Sequence, residues 1–122
     1  MSACRILLID DDEATLTTIR NLLETDGFPV VAVAHNAKEA YRHYLEHRPQ
    51  VLVMDLMLPG EGGLDIAAQV LEVAPDVEVV LFSAFIDDAV IRRAEAVGIA
   101  CCVPKDDPEQ LVAEVRQRCE QR

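Results

Sequence analysis

The chain has 122 residues, of which 51% are hydrophobic and 27% are charged, and its formal net charge is −11. This length suits a single domain with a buried core, and no stretch approaches the roughly 20 apolar residues that a membrane-spanning helix needs. The negative charge, without any basic run, argues against direct binding of nucleic acid, because a phosphate backbone would be repelled.

Five short apolar runs recur along the chain, and each is nearly continuous rather than alternating with polar residues. Continuous runs are typical of strands that are buried on both faces of a sheet. The predicted strands cover residues 6–9, 30–33, 51–54, 79–82 and 99–103.

The segments between these strands have the apolar periodicity of amphipathic helices. The five predicted stripes contain, in chain order, Leu16, Ile19, Leu22 and Leu23; Ala37, Ala40, Tyr41 and Tyr44; Ile66, Ala67, Val70, Leu71 and Ala74; Val90, Ile91, Ala94 and Val97; and Leu111, Val112, Val115 and Cys119. Gly27 and Gly98 stand just past the first and fourth helices, where a left-handed residue commonly closes the last turn, and Asn36 with Glu39 has the spacing of a capping box. The alternation implies an α/β fold of the type (βα)₅, with a five-stranded parallel sheet and helices on both faces.

Polar side chains follow four of the five predicted strands. Asp10 and Asp11 come after the first strand, Asp55 after the third, Ser83 after the fourth and Lys105 after the fifth. Ligands of such sheets bind beyond the carboxyl ends of the strands, so we expect these residues to lie together. Carboxylates in close proximity call for a cation, and hard oxygen ligands without His or Cys favour Mg²⁺.

This set of residues suits phosphoryl transfer. With Mg²⁺ bound, a central aspartate can act as a nucleophile and form an acyl phosphate, while the lysine offsets the charge of the phosphoryl group. The hydroxyl of Ser83 and backbone N–H groups at Ser83 and Ala84 can donate hydrogen bonds to its oxygens. Helix capping explains Asp12 and Glu13, but it does not explain Asp55 or Lys105.

The segments 6–13, 53–60 and 81–84 resemble the receiver domain of two-component response regulators, and the resemblance covers the whole chain in order. It implies one receiver domain over residues 1–122, with a flavodoxin-like fold and the strand order 2-1-3-4-5. It also implies a phosphoacceptor rather than an enzyme acting on other substrates, since such a domain catalyses only its own phosphorylation and dephosphorylation. The phosphoryl group would come from a histidine kinase or a phosphotransfer protein. The resulting surface change would control a downstream protein or output domain, and phosphorylation would be compatible with formation of a homodimer.

The resemblance also implies roles for single residues. Asp55 matches the phosphoacceptor, and the metal ligands would be Asp10, Asp11, Asp55 and the backbone carbonyl of Met57. Ser83, with Ala84 beside it, matches the switch hydroxyl that binds the phosphate, and Lys105 matches the phosphate-pairing lysine. Met57 and Phe85 match two positions that influence how long the phosphate survives, and both are bulky and apolar here.

Three positions depart from the family pattern. Cys102 stands where an aromatic switch residue is usual, which weakens the case for coupling through that side chain. Lys105 is followed by Asp106 and preceded by Pro104, whereas the family usually has a proline after the lysine. The residues after Lys105 are closer to those of receivers that carry helix-turn-helix output domains.

Three other functions compete with this interpretation. A haloacid-dehalogenase-type phosphatase would use Asp10, Asp12, Ser83 and Lys105, but Asp55 would then have no role and a late acidic pair is missing. A flavodoxin-like flavin binder needs a phosphate loop rich in Ser and Thr after the first strand, where this chain has three acidic residues. A receiver-like interaction module that is never phosphorylated would not need the full set of site residues.

The cysteines and two histidines have simpler interpretations. The four cysteines, Cys4, Cys101, Cys102 and Cys119, lack the C-x-x-C spacing, and we interpret them as packing residues of a protein in a reducing compartment rather than as disulfide or zinc ligands. With no signal peptide visible, we expect a cytoplasmic protein. His43 and His47 have the spacing of two ligands on one helix, but no third ligand is evident, so we assign them to a solvated face.

Overall fold

Strands and helices alternate along the computed structural model, which describes residues 3–60 and 62–120. The strands in this part of the chain are β1 (Ile6–Ile9), β2 (Val30–Ala34), β3 (Val51–Met54), β4 (Glu78–Ser83) and β5 (Cys101–Pro104). The helices are α1 (Glu13–Thr25), α2 (Ala37–His47), α3 (Gly63–Val73), α4 (Asp88–Val97) and α5 (Pro108–Glu120). None of these helices is long and apolar enough to cross a bilayer.

The sheet has the order β2-β1-β3-β4-β5, and every neighbouring pair is parallel. The predicted fold class and strand order are therefore confirmed. The order reverses between β1 and β3, where Ile9 pairs with Met54 at the carboxyl ends of both strands. This is the switch point at which parallel α/β sheets bind their ligands.

Each strand buries both of its faces, because successive side chains point to opposite sides of the sheet. Leu7 and Ile9 pack in a core shared with α2, α3 and α4, whereas Ile6 and Leu8 pack in a second core with α1 and α5. This burial on both faces explains why the strands appear in the sequence as continuous apolar runs. The two cores hold the carboxyl ends of β1 and β3 in fixed positions.

Two predicted stripe residues lie outside the core, and one strand begins later than predicted. Leu22 is 37% exposed and Ile91 is 36% exposed, since each lies about 100° around its helix from a buried neighbour. Strand β5 begins at Cys101 rather than at residue 99, because the N–H of Ile99 donates to the carbonyl of Ala94 and completes the end of α4. Gly98 is left-handed there, with φ of 94°, as the sequence predicts.

The predicted cap of α2 is present, but only in part. The side chain of Asn36 accepts a hydrogen bond from the N–H of Glu39 at 2.9 Å. The reciprocal bond of a capping box is replaced, since the Glu39 carboxylate accepts from the backbone and the ring of His35. The ring of His35 also pairs with Glu13 at the start of α1. His35, in the loop between β2 and α2, therefore bridges two helices.

The interpretation of all four cysteines as free was wrong for two of them. Cys4 and Cys119 form a disulfide, and their Cα atoms lie 5.8 Å apart. The residues before β1 and the end of α5 are brought together by the packing of α5 beneath the sheet. A separation of 115 residues leaves no local signal for this pairing. Cys101 and Cys102 are free thiols, as predicted.

Candidate functional site

The carboxyl ends of β1 and β3 place two aspartates side by side. Asp10 is 4% exposed and Asp55 is 7% exposed, so both carboxylates are nearly removed from bulk water. The backbone fixes them, since Asp10 N–H donates to the carbonyl of Ala34 and Asp55 N–H to that of Ile9. Asp11 is exposed and completes the group, because one carboxylate oxygen from each of the three aspartates lies within 4.8 Å of the others.

Lys105 joins the two buried carboxylates. Its Nζ donates to Asp10 Oδ2 at 2.8 Å and to Asp55 Oδ2 at 2.9 Å. The lysine is held by its own backbone, whose N–H donates to the carbonyl of Ser83 at the end of β4. Residues that follow β1, β3 and β5 therefore meet in one polar cluster, and the last residue of β4 holds the backbone of its lysine.

The remaining carboxylate oxygens accept backbone hydrogen bonds. Asp10 Oδ1 accepts from the N–H of Asp12 at 2.9 Å, and Asp55 Oδ1 accepts from the N–H of Met57 at 3.3 Å. The backbone of Met57 consequently lies against the Asp55 carboxylate. Each buried aspartate thus uses one oxygen for a backbone N–H and the other for Lys105.

Burial and charge act in opposite directions on the ionisable groups. Burial raises the pKa of Asp10, and the hydrogen bond from Lys105 offsets this only in part. Burial alone would lower the pKa of Lys105, but its hydrogen bonds to Asp10 and Asp55 outweigh burial and raise that pKa. We regard the lysine as fully charged and the carboxylates as sharing a single positive neighbour. A cluster of three acids and one lysine retains excess negative charge.

The donor set fits a hard divalent cation. Asp10, Asp11 and Asp55 offer oxygen atoms only, and the exposed side of Asp11 leaves room for the waters that Mg²⁺ keeps. A cation bound there would neutralise the charge that Lys105 leaves uncompensated. These three carboxylates would hold the metal, together with the backbone carbonyl of Met57 that the family resemblance implies.

The rim of the cluster combines one buried hydroxyl with two exposed apolar side chains. Ser83 is fully buried at the end of β4, and its Oγ accepts from the N–H of Phe85 at 3.2 Å, while Ala84 between them is exposed. Met57 is 59% exposed and Phe85 is 66% exposed. Exposed apolar side chains thus stand two residues beyond Asp55 and two residues beyond Ser83.

Gly63 packs against the backbone carbonyl of Asp55, and nothing in the sequence identifies it as a site residue. A Cβ atom on Gly63 would lie 2.2 Å from the carbonyl oxygen of Asp55, far inside the distance of ordinary contact. The N–H of Gly63 also donates to the carbonyl of Leu56 at 2.9 Å. The adjacent glycines Gly62 and Gly63 were a visible signal, but periodicity alone does not tell which of them packs against a neighbouring backbone.

Cys102 lies half-buried in β5 and packs against the core formed with α2, α3 and α4. Burial raises the pKa of its thiol, and burial raises that of the neighbouring Cys101 to about 12, so both stay protonated near neutral pH. A small thiol fills the position where the family usually has an aromatic ring.

Comparisons with known proteins agree with this geometry. The family model described as the response regulator receiver domain matches residues 6–116. The oxygen regulatory protein NreC of Staphylococcus epidermidis is 35% identical over 115 residues, which are 92% of this chain and 53% of the relative. The chemotaxis protein CheY of Listeria monocytogenes is 34% identical over 80 residues, covering 66% of this chain and 67% of the relative. The chain thus spans about half the length of NreC, the longer of these relatives.

Solved structures show the same fold. A LuxR-family two-component response regulator from Aurantimonas sp. SI85-9A1 superposes with a TM-score of 0.92 at 34% identity, covering 99% of this chain and 88% of that one. The signal receiver domain of the response regulator NarL from Mycobacterium tuberculosis gives a TM-score of 0.92 at 26% identity over the full length of both chains. From its fold, its acidic cluster and its sequence, the chain belongs to the family of response regulator receiver domains.

Proposed function

We propose that this chain accepts a phosphoryl group on Asp55 from a phosphohistidine of a histidine kinase or phosphotransfer protein. The observation that carries the proposal is the convergence of Lys105 and two further carboxylates on one buried aspartate, with Lys105 Nζ 2.9 Å from Asp55 Oδ2. A structural ion pair would need one carboxylate for one lysine, whereas a three-acid cluster is built for a cation and an incoming phosphoryl group.

In the proposed reaction, a carboxylate oxygen of Asp55 attacks phosphorus as the P–N bond of the donor breaks and its imidazole leaves. Asp10, Asp11, Asp55 and the backbone carbonyl of Met57 would hold Mg²⁺, which supplies charge neutralisation when bound. Lys105 pairs with the transferred oxygens, and the Ser83 hydroxyl and the N–H of Ala84 donate hydrogen bonds to them. The backbone bonds to Asp10 and Asp55 hold the carboxylates in place, so little reorganisation is needed.

The output of the reaction is a change of surface. Ser83 would abandon its bond from the N–H of Phe85 when it binds the phosphate, and this would move the loop between β4 and α4. Because Cys102 replaces the usual aromatic switch residue, we assign the surface change to the movement of this loop. The greater length of the relatives supports a partner domain that this movement would control. Phosphorylation would also favour a homodimer.

We place this activity in the cytoplasm, where histidine kinases deliver their phosphoryl groups. The chain would act on no other substrate, because the cluster contains the acceptor itself.

Incubation with an acyl-phosphate or phosphoramidate donor and Mg²⁺ tests the proposal. We expect one phosphoryl group per chain by intact mass, no addition to Asp55→Asn, and wild-type addition to Asp65→Asn, a matched change at an exposed aspartate of α3. Addition to Asp55→Asn at the wild-type rate would refute the assignment. Steady turnover of a phosphomonoester would instead support the phosphatase alternative.

A further inference from the structure

A second group of metal-ligating side chains lies on α2. His43, Glu46 and His47 each offer one ligand atom, and these three atoms lie within 4.8 Å of one another. The two histidines are predicted to lie on a solvated face because no third ligand is evident from their spacing, and in the structure Glu46 provides a third ligand. We propose that His43 Nδ1, Glu46 Oε2 and His47 Nε2 form a binding site for a divalent transition metal of the zinc class.

The separations match what such a metal requires. Glu46 Oε2 lies 3.7 Å from His43 Nδ1 and 3.7 Å from His47 Nε2. In a tetrahedral site with bonds of about 2.0–2.1 Å, neighbouring ligand atoms are about 3.3–3.4 Å apart. Each glutamate–imidazole distance would have to contract by a few tenths of an ångström, which is within the reach of side-chain torsions, and one nitrogen of His43 lies within 4.8 Å of one nitrogen of His47.

An unsatisfied nitrogen points to a missing partner at this place. His43 Nδ1 is buried and has no hydrogen-bond partner among residues 3–60 and 62–120, although the Glu46 carboxylate is its neighbour. Buried polar atoms of native proteins are nearly always satisfied by protein, water or an ion. A metal ion between the three side chains would satisfy that nitrogen and would explain why the carboxylate stands between two imidazoles without bonding to either.

The ligand chemistry selects the metal. Two imidazole nitrogens and one carboxylate suit zinc and its neighbours in the transition series, whereas Mg²⁺ prefers oxygen atoms alone. Three protein ligands would leave one position for water or for a group from a partner. Because the chain carries a net charge of −11, its surface also attracts divalent cations.

The site is separate from the acidic cluster. Helix α2 starts near the carboxyl ends of the strands and ends near their amino ends. Arg5 precedes β1 there, and its guanidinium donates to the carbonyls of His47 and Arg48. The aspartates lie at the opposite, carboxyl edge. Metal on α2 would hold the last turn of that helix, which ends at the left-handed Arg48, without occupying the phosphoacceptor site.

Zinc titration of the whole chain in saturating Mg²⁺ tests the proposal, because Mg²⁺ then occupies the oxygen ligands of the acidic cluster. We expect one Zn²⁺ per chain by calorimetry or equilibrium dialysis, and a higher melting temperature. His43→Ala and His47→Ala should each weaken binding by more than about tenfold, since loss of even an outer-shell partner typically costs that much. His47 is the more exposed of the two histidines, so His47→Ala should fold even where His43→Ala does not.

Two controls separate this site from other zinc ligands. His35→Ala removes the remaining histidine of the chain and should leave zinc affinity unchanged. A Cys101→Ala, Cys102→Ala double variant removes the two free thiols and should likewise bind as wild type. Zinc binding that survives loss of both His43 and His47, or that disappears with the thiols, would overturn the proposal, and so would the absence of binding to the wild-type chain.

Discussion

The substitution Gly63→Ala tests how rigidly the fold holds the phosphoacceptor. The added Cβ would lie 2.2 Å from the carbonyl oxygen of Asp55, whereas ordinary contact begins at 3.4 Å, so one group must move by the difference of 1.2 Å. Side chains forced into packed sites typically cost about 1–3 kcal/mol. For a domain of this size, that corresponds to a fall in melting temperature of about 4–12 °C.

The same displacement should slow phosphorylation. Misplacing a reacting group by about 1 Å can reduce a rate by about a hundredfold. We therefore expect Gly63→Ala to accept a phosphoryl group about 10- to 100-fold more slowly at saturating Mg²⁺, measured by intact mass against time.

Gly62→Ala is the matched control for this experiment. Its Cβ would meet Asp65 Oδ2 at 3.8 Å, an ordinary contact, and its φ of −70° suits any residue. We expect nearly wild-type stability and phosphorylation for this variant. If Gly63→Ala had the same melting temperature and phosphorylation rate as Gly62→Ala, the contact between Gly63 and the Asp55 carbonyl would not constrain the acceptor. A loss of stability with an unchanged rate would show that α3 moves and Asp55 does not.

Three further predictions follow from contacts around the same edge of the sheet. Mg²⁺ at a hundredfold excess over its Kd should stabilise the wild type by about 2.7 kcal/mol, and Asp11→Ala should lose this gain. Without metal, Asp11→Ala should melt at a higher temperature than wild type, because Lys105 bonds to Asp10 and Asp55 and leaves the Asp11 charge in excess. A lower metal-free melting temperature for Asp11→Ala would contradict this repulsion. Met57→Asn with Phe85→Glu should shorten the acyl-phosphate lifetime about tenfold, because polar groups can orient a water that the two exposed apolar side chains cannot; equal or slower decay after donor removal would exclude this. Hydrogen bonding to Glu39, with a further contribution from Glu13, raises the pKa of His35, so its stabilising charge is present below the ordinary pKa of histidine and is lost as pH rises through the raised value. Replacement by Gln should therefore destabilise by about 0.5 kcal/mol at pH 6 and much less at pH 8.5, in paired thermal melts, and a pH-independent cost would show that packing rather than charge is responsible.

The fold could be predicted because its signals are local and repeated. Strands such as β1 and β3 are buried on both faces, so they appear as continuous apolar runs, and alternation with amphipathic helices leaves few topologies. The acidic cluster could be predicted for a related reason. Each of its residues lies within two positions of the end of a strand, and the carboxyl ends of parallel strands meet at one edge. The strand order itself came from the family resemblance.

What could not be predicted depends on contacts between distant residues. The Cys4–Cys119 disulfide joins positions 115 residues apart, and no spacing rule reaches that far. Gly63 is defined by the backbone it touches, not by its neighbours in sequence. Glu46 was a visible acid beside two histidines, but its role depends on side-chain directions at the end of α2 that sequence periodicity does not resolve. The start of β5 was missed because Ile99 is apolar yet is used to end α4.

Locating the phosphoryl group tests the central claim most directly. After phosphorylation in Mg²⁺, borohydride reduces an acyl phosphate to an alcohol, and peptide mapping by mass spectrometry then identifies the modified residue. We predict reduction at residue 55 alone, dependent on both the donor and Mg²⁺. Modification at another aspartate, or the same yield at Asp55 without any divalent cation, would contradict the account.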